Sequence, residues 1–101
     1  MTIDKLLENI EDEYGAMSFG DTLKAWRECE EMTQAQFSKK LSMSPSSLGD
    51  LESGRRIPTP SRVVRIAKKL GIGEAPLILL SLRDYLRSHG LEYQIDLKKS
   101  A

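Results

Sequence analysis

Two short predicted helices, separated by about three residues, constrain the fold of this chain more than any other feature of its sequence. The first begins at Thr33, which opens a T-x-x-Q capping box, and it ends near Leu41. The second covers Pro45–Ser53, because Ser44 is a favoured N-cap, proline is tolerated at the first helical position, and Gly54 suits the C-terminal end. The spacing therefore predicts a helix-turn-helix.

The apolar residues of this pair are spaced so that both helices contribute to one small core. Ser38 is small at the position where the two helices would cross, which lets their backbones approach. A plain helical hairpin would show the apolar pattern alone. Here polar residues surround the pair, with Gln34 at its start, Arg55 and Arg56 after its end, and a Thr-Pro helix start at Thr59. The apolar positions are Phe37, Leu41, Met43, Leu48 and Leu51.

Helical spacing also covers most of the chain on either side of this pair. Apolar residues at i, i+3, i+4 and i+7 predict an acidic amphipathic helix within residues 1–17. Further helices are expected at residues 19–31, after Thr59, and at Glu74–Ser88. Apolar and polar residues then alternate over residues 91–97, which is the two-residue period of a strand with one apolar face. The pattern predicts a mainly helical chain with a short C-terminal strand.

Charge is distributed unevenly along the chain, although 15 basic and 15 acidic side chains balance to a formal net charge of zero. Residues 1–31 hold nine acids and three bases, whereas residues 32–73 hold eight bases and two acids. The helix pair therefore lies in a basic segment. Zero net charge for the whole chain does not exclude a nucleic-acid partner.

Composition and length exclude several classes of protein. A chain of 101 residues with 40% hydrophobic and 30% charged residues is typical of one soluble globular domain. The longest apolar run, at residues 75–82, is far shorter than a membrane span, and the N-terminal residues lack the pattern of an export signal, so we expect neither feature. A single cysteine cannot form an internal disulfide. A cytoplasmic protein without a membrane partner is therefore expected.

Residues that would support catalysis or metal binding are few. Cys29 is flanked by acids, which do not activate a thiol, and His89 has no second histidine with which to complete a metal site. The serines between residues 38 and 61 have no local histidine partner that would activate a nucleophile. We therefore expect that the protein is not an enzyme and that it uses no cofactor or metal.

Residues 23–71 resemble the DNA-binding domain of the Cro and phage-repressor class, the XRE family of helix-turn-helix regulators. The resemblance rests on the helix pair, on Gln34, on the sequence Glu-Ser-Gly-Arg-Arg at residues 52–56, and on the Thr-Pro start of the next helix. It implies an all-α, lambda-repressor-like five-helix bundle in which the helix Pro45–Ser53 lies in the DNA major groove. The predicted domains are residues 1–17 as an extra acidic N-terminal helix, 18–89 as the helix-turn-helix DNA-binding domain, and 90–101 as a C-terminal strand and tail.

The resemblance also implies roles for individual residues. Arg27 and Glu52 match an ion pair that is buried between helices and has a structural role. Ser42 stands in the turn where the family usually has glycine. No Arg, Lys, Asn or Gln on the reading surface can contact a base bidentately, so specificity per half-site should be modest. The base-facing residues are Pro45, Ser46 and Asp50, and the phosphate-contacting residues are Gln34, Ser44, Ser47, Ser53, Arg55 and Arg56.

The expected function is that of a sequence-specific DNA-binding transcriptional regulator, a repressor that acts as a homodimer on paired half-sites. A lone strand leaves backbone groups unpaired, so it should pair either with a second copy or with the sheet edge of a partner protein; pairing with a second copy through Leu91, Tyr93, Ile95 and Leu97 would form the dimer. Two alternatives stay open. One is an antitoxin that represses its own operon and neutralises a toxin through its acidic or C-terminal segment. The other is a helix-turn-helix protein-interaction module with little DNA readout.

Overall fold

Five α-helices make up the regular structure of this protein, for which a computed structural model describes residues 17–100. The extra N-terminal helix predicted for residues 1–17 lies outside the described residues except for Met17. In the described part, short connections of a few residues join consecutive helices. The helices are α1 (Phe19–Cys29), α2 (Gln34–Lys40), α3 (Pro45–Ser53), α4 (Pro60–Leu70) and α5 (Glu74–Ser88).

Side-chain caps start the first four helices. Thr33 accepts a hydrogen bond from the backbone N–H of Gln36 at 3.1 Å, and the Gln36 side chain accepts one from Thr33 N–H at 2.9 Å, which confirms the predicted capping box. Ser18 forms a second capping box at the start of α1. Ser44 and Thr59 cap α3 and α4, each directly before a proline. Local sequence therefore determines where these helices begin.

The core lies where α3 packs against both α1 and α2, and where α5 packs against α4 and α1. Burial of each large apolar side chain contributes roughly 1.5–3 kcal/mol to stability. All five helices contribute to this core, so the helix-turn-helix is held by the whole bundle. The buried apolar residues are Phe19, Leu23, Phe37, Leu41, Leu48, Leu51, Val63, Ile66, Ala67, Leu77 and Leu80.

Two contacts fix the start of α1 against the rest of the bundle. A Cβ atom placed on Gly20 would lie 2.2 Å from the Leu51 carbonyl oxygen and 2.8 Å from that of Glu52, so the absence of a side chain lets α1 approach α3. Asp84 on α5 accepts a hydrogen bond from Phe19 N–H at 2.8 Å. Burial raises the pKa of Asp84, although this hydrogen bond opposes the shift. Both α3 and α5 therefore position the first turn of α1.

The predicted C-terminal strand is wrong. Residues 91–100 have no regular secondary structure, and no strand occurs anywhere in residues 17–100. Gly90 turns the chain with a φ of 73°, and Leu91 N–H donates to Leu86 O at 3.0 Å at the end of α5. Beyond that point no neighbouring strand supplies the hydrogen bonds of a ladder, and a two-residue period alone does not create one. The described fold is all-helical, without the predicted strand.

Candidate nucleic-acid interface

A tight turn joins α2 to α3 and fixes the angle between them. Ser42 adopts a left-handed backbone with a φ of 58°, a conformation that glycine enters more easily. Met43 N–H donates to Ser38 O at 2.9 Å, which closes the turn onto α2. Ser38 is buried at this point, and its hydroxyl donates to Ala35 O at 2.9 Å. The small side chain thus packs where the two helices meet, while the residues that begin α3 are exposed.

The first turn of α3 exposes side chains that were predicted to face bases. Pro45 and Ser46 are exposed, and Asp50 lies one helical turn beyond Ser46 on the same face. Ser44 caps the helix and accepts a hydrogen bond from Ser47 N–H at 3.0 Å, and the two hydroxyl oxygens are also 3.0 Å apart. This face of α3 therefore presents small polar groups and one carboxylate, without any long donor side chain.

A buried hydrogen-bond network joins α1, α2 and α3 behind this face. Arg27 Nε and Nη2 donate to the two carboxylate oxygens of Glu52 at 2.7 and 3.1 Å, while Arg27 Nη1 donates to Met32 O at 3.0 Å. Gln34 Nε2 donates to Glu52 Oε1 at 3.0 Å. The hydrogen bonds to Glu52 raise the pKa of Arg27, against the desolvation that lowers it. The ion pair of Arg27 and Glu52, together with Gln34, thus holds α1, α2 and α3 against one another.

Gln34 connects the buried network to the protein surface. The residue is exposed and stands at the first position of α2. Its side-chain amide has two N–H donors, of which one is used by Glu52. No other described residue accepts from this amide, so the second donor is free for an acceptor outside the protein, such as a phosphate oxygen. The network fixes the orientation of that donor.

Two arginines follow α3 and fold back over its last turn. Gly54 ends the helix with a left-handed φ of 79°, and Arg56 N–H then donates to Asp50 O at 3.1 Å. Ser53 Oγ accepts a hydrogen bond from Arg55 N–H at 3.3 Å. Arg55 Nη1 lies 3.3 Å from Asp50 Oδ1, and Arg56 Nε lies 4.0 Å from Asp50 Oδ2. The structure therefore brings a predicted base-facing carboxylate into contact with two predicted phosphate-binding arginines.

A further group of basic side chains lies beside the turn of the helix-turn-helix. Arg62, Arg65 and Lys69 on α4 line a cavity of about 300 Å³ together with Ser42 and apolar residues of the core rim. None of the three forms an ion pair with a described residue. The sequence shows that these residues share one face of α4, but only the packed bundle shows that this face borders the turn.

The residues predicted to form a dimer lie in the segment that follows α5. Leu91, Tyr93 and Leu97 are 43%, 66% and 38% exposed, while Ile95 is half-buried. Tyr85 near the end of α5 is exposed as well, at 55%. Large apolar side chains are thus gathered at the C-terminal end of the described chain, and all of them lie on residues outside the helix-turn-helix.

Metal-binding clusters and membrane-spanning helices are both absent from residues 17–100. No group of three or more His, Cys, Asp or Glu side chains there is arranged to hold a metal ion. No helix in the same residues has both the length and the apolar character needed to cross a membrane. The exposed face of α3, with Arg55 and Arg56 beside it, is the candidate site because most of the residues predicted to contact DNA lie there.

Comparison with known protein families gives a match to the region that contains this face of α3. A family model described as a helix-turn-helix domain matches residues 18–80. The match includes α1 to α4, the first part of α5, and every residue of the buried network and of the α3 surface. No curated protein and no solved structure gives a significant match to the chain.

Proposed function

Because this chain belongs to the helix-turn-helix domain family, we propose that it is a repressor of the Cro and phage-repressor class that binds a specific double-stranded DNA sequence. The observation that carries the proposal is the exposed face of α3, which is flanked by two arginines and anchored from behind by the buried network of Glu52. A rigid support behind an exposed helix is what docking in the major groove requires.

In the proposed complex, α3 enters the major groove with its N-terminal half toward the bases. Pro45 offers an apolar contact for a thymine methyl group, Ser46 offers a hydroxyl, and Asp50 accepts from the N4 amino group of cytosine. Phosphate contacts come from residues at both ends of the helix-turn-helix, and they set the register of the protein on the duplex. These phosphate-contacting residues are Gln34, Ser44, Ser47, Ser53, Arg55 and Arg56.

Replacing Arg55 and Arg56 together with alanine is expected to weaken binding to all duplex sequences alike. Both side chains are largely exposed, so their removal should cost little stability while two phosphate contacts disappear. The salt dependence of the binding constant, log K against log [salt], should become shallower by roughly one to two units. Fluorescence anisotropy with a labelled duplex, repeated across a salt series, measures this slope.

The matched control for this experiment replaces Lys98 and Lys99 with alanine. This variant also loses two positive charges, but from exposed positions that lie outside the family match. Its salt slope should stay at the wild-type value. An unchanged slope in the arginine variant, or an equal change in both variants, would argue against phosphate contact by Arg55 and Arg56.

The proposed repressor is a homodimer, because small polar side chains on α3 give modest specificity in a single half-site. The exposed apolar residues Leu91, Tyr93 and Leu97 supply the surface through which two copies associate. A dimer of this kind would address half-sites about 34 Å apart or a multiple of that distance.

Replacing Leu91, Tyr93 and Leu97 with serine is expected to shift the protein from dimer to monomer and to weaken operator binding. Sedimentation velocity over a range of protein concentrations measures the change. The control variant replaces the alternating polar residues Glu92, Gln94 and Asp96 with serine, which leaves the apolar side chains in place. A wild-type chain that sediments as a monomer at every concentration would contradict the proposed dimer.

An antitoxin is the second candidate function, and the exposed C-terminal segment favours it. Residues 91–100 lie after the matched family domain and expose large apolar side chains, as a segment that binds a partner protein would. Such a protein would still repress its own operon through α3. The sedimentation experiment distinguishes the dimeric repressor from the antitoxin. If the C-terminal segment binds a toxin and not a second copy, the chain should be a monomer when no toxin is present.

A further inference from the structure

Asp50 is the one acidic side chain on the proposed reading face of α3, and in the free protein it faces two arginines. Its Oδ1 lies 3.3 Å from Arg55 Nη1, and its Oδ2 lies 4.0 Å from Arg56 Nε. A carboxylate in the last turn of a helix interacts unfavourably with the helix dipole, so helix stability does not account for it. The contacts that favour this carboxylate are therefore those to the arginines.

We propose that Asp50 is a specificity-determining residue that competes with the DNA backbone for Arg55 and Arg56. The inference rests on the proposed function and deepens it. In the free protein the carboxylate occupies the arginines, and on DNA the phosphates displace it. The displaced carboxylate needs a new donor, which a cytosine or adenine amino group in the major groove supplies. Where no base offers a donor, Asp50 is left unpaired beside the phosphates and opposes binding.

The exposures of the three side chains favour this exchange. Arg55 and Arg56 are 78% and 71% exposed, so phosphates can reach them and their pairs with Asp50 are readily broken. The Asp50 side chain is only 24% exposed, so its charge stays close to the interface after it loses its partners. An unpaired charge that is held at a binding surface raises the free energy of the complex. Arginine contact alone is therefore insufficient for tight binding.

The backbone around the pairs does not depend on the carboxylate. Arg56 N–H donates to the Asp50 carbonyl oxygen, and Gly54 sets the left-handed turn that brings the arginines back over α3. Substitution of the Asp50 side chain therefore removes the competing charge and leaves the backbone that carries the two arginines in place. This separation makes Asp50→Asn a clean test, since asparagine keeps the shape of the side chain.

The experiment compares wild type with D50N for binding to two duplexes, one of random sequence and one selected from a random pool by the wild-type chain. D50N should bind the random duplex about tenfold more tightly than wild type near 0.1 M salt. The slope of log K against log [salt] for this duplex should become steeper by about one unit, because one more counterion is released on binding. The selected duplex should gain less, so the ratio of the two affinities falls. Melting curves of both proteins verify that folding is unaffected.

Two further variants isolate the mechanism. D96N makes the same charge change at an exposed residue outside the family match, and it should leave the affinity ratio unchanged. In a chain that already carries R55A and R56A, the D50N substitution should strengthen binding to the random duplex by clearly less than in the wild-type background, because only the repulsion between Asp50 and the phosphates is left to remove. A gain of the same size in both backgrounds would show that Asp50 acts only by repelling phosphates directly, and it would overturn competition for the arginines.

The remaining outcomes separate this inference from the function on which it rests. D50N could bind the random duplex as tightly as wild type and the selected duplex more weakly. Asp50 would then be a base contact only, which would overturn the inference but not the proposed function. If D50N and D96N changed binding equally, the gain would come from the net charge of the protein. That result would also overturn the inference but not the proposed function. Failure of the wild-type chain to bind any duplex would overturn the proposed function and the inference together.

Discussion

Replacing Glu52 with alanine is expected to lower the free energy of unfolding by about 3–5 kcal/mol, as loss of one partner from a buried ion pair does. The Glu52 side chain is 4% exposed and accepts hydrogen bonds from Arg27 and Gln34. Without it, the guanidinium of Arg27 keeps only the Met32 carbonyl as an acceptor and remains largely desolvated. Urea denaturation of the variant and of the wild-type chain measures the difference.

The surface pair between Glu30 and Lys40 provides the matched control. Its side chains are 29% and 35% exposed, and exposed pairs contribute about 0–1 kcal/mol. Glu30→Ala should therefore be much milder than Glu52→Ala, although it also removes the acceptor of the Trp26 indole N–H. Equal losses in the two variants would contradict the anchoring role of Glu52.

A double substitution distinguishes an uncompensated charge from lost packing. Arg27→Met combined with Glu52→Leu removes both charges and keeps side-chain volume, so the loss should be smaller than for Glu52→Ala alone. Arg27→Met alone, Glu52→Leu alone and the double change form a double-mutant cycle. Residues in direct contact are expected to show a coupling free energy of about 0.5–3 kcal/mol in such a cycle. Strict additivity would mean that the pair does not act as a unit.

The helix starts of this fold follow from local sequence. The Thr33 capping box and the Ser44-Pro45 start each depend on residues within one helical turn, so the chain around them is enough to predict α2 and α3. The end of α1 is less well determined. The chain leaves the helix after Cys29 because Glu31 adopts a φ of 56°, and no nearby glycine marks that turn.

Features that depend on the three-dimensional path of the chain, and not on residue spacing alone, cannot be predicted from this sequence. The alternation in residues 91–97 has the period of a strand, but a strand also needs a partner, and no pattern within the segment shows whether one exists. The resemblance to known regulators predicts that Asp50 lies on the reading face. Its contacts with Arg55 and Arg56 require the left-handed turn at Gly54 and the geometry of the segment that follows.

Gly20 shows this limit most clearly, because nothing in the residues around it marks a special position. Its importance comes from the backbone of α3, where a Cβ on Gly20 would lie 2.2 Å from the Leu51 carbonyl oxygen. The nearby atoms belong to the backbone and cannot rotate away as the end of a side chain can. A substitution must therefore push α1 and α3 apart, and α3 carries both Glu52 and the proposed reading face.

Replacing Gly20 with alanine is expected to lower the free energy of unfolding by about 1–3 kcal/mol, the usual cost of overpacking a core. Gly49→Ala is the matched control, because a Cβ on Gly49 in α3 meets no atom within 4 Å. That control should raise stability by about 1 kcal/mol through helix propensity. Both variants exchange the same residue types within a helix, so the difference between their denaturation midpoints reports the α1–α3 contact. Stabilisation of both by similar amounts would contradict the close approach at Gly20.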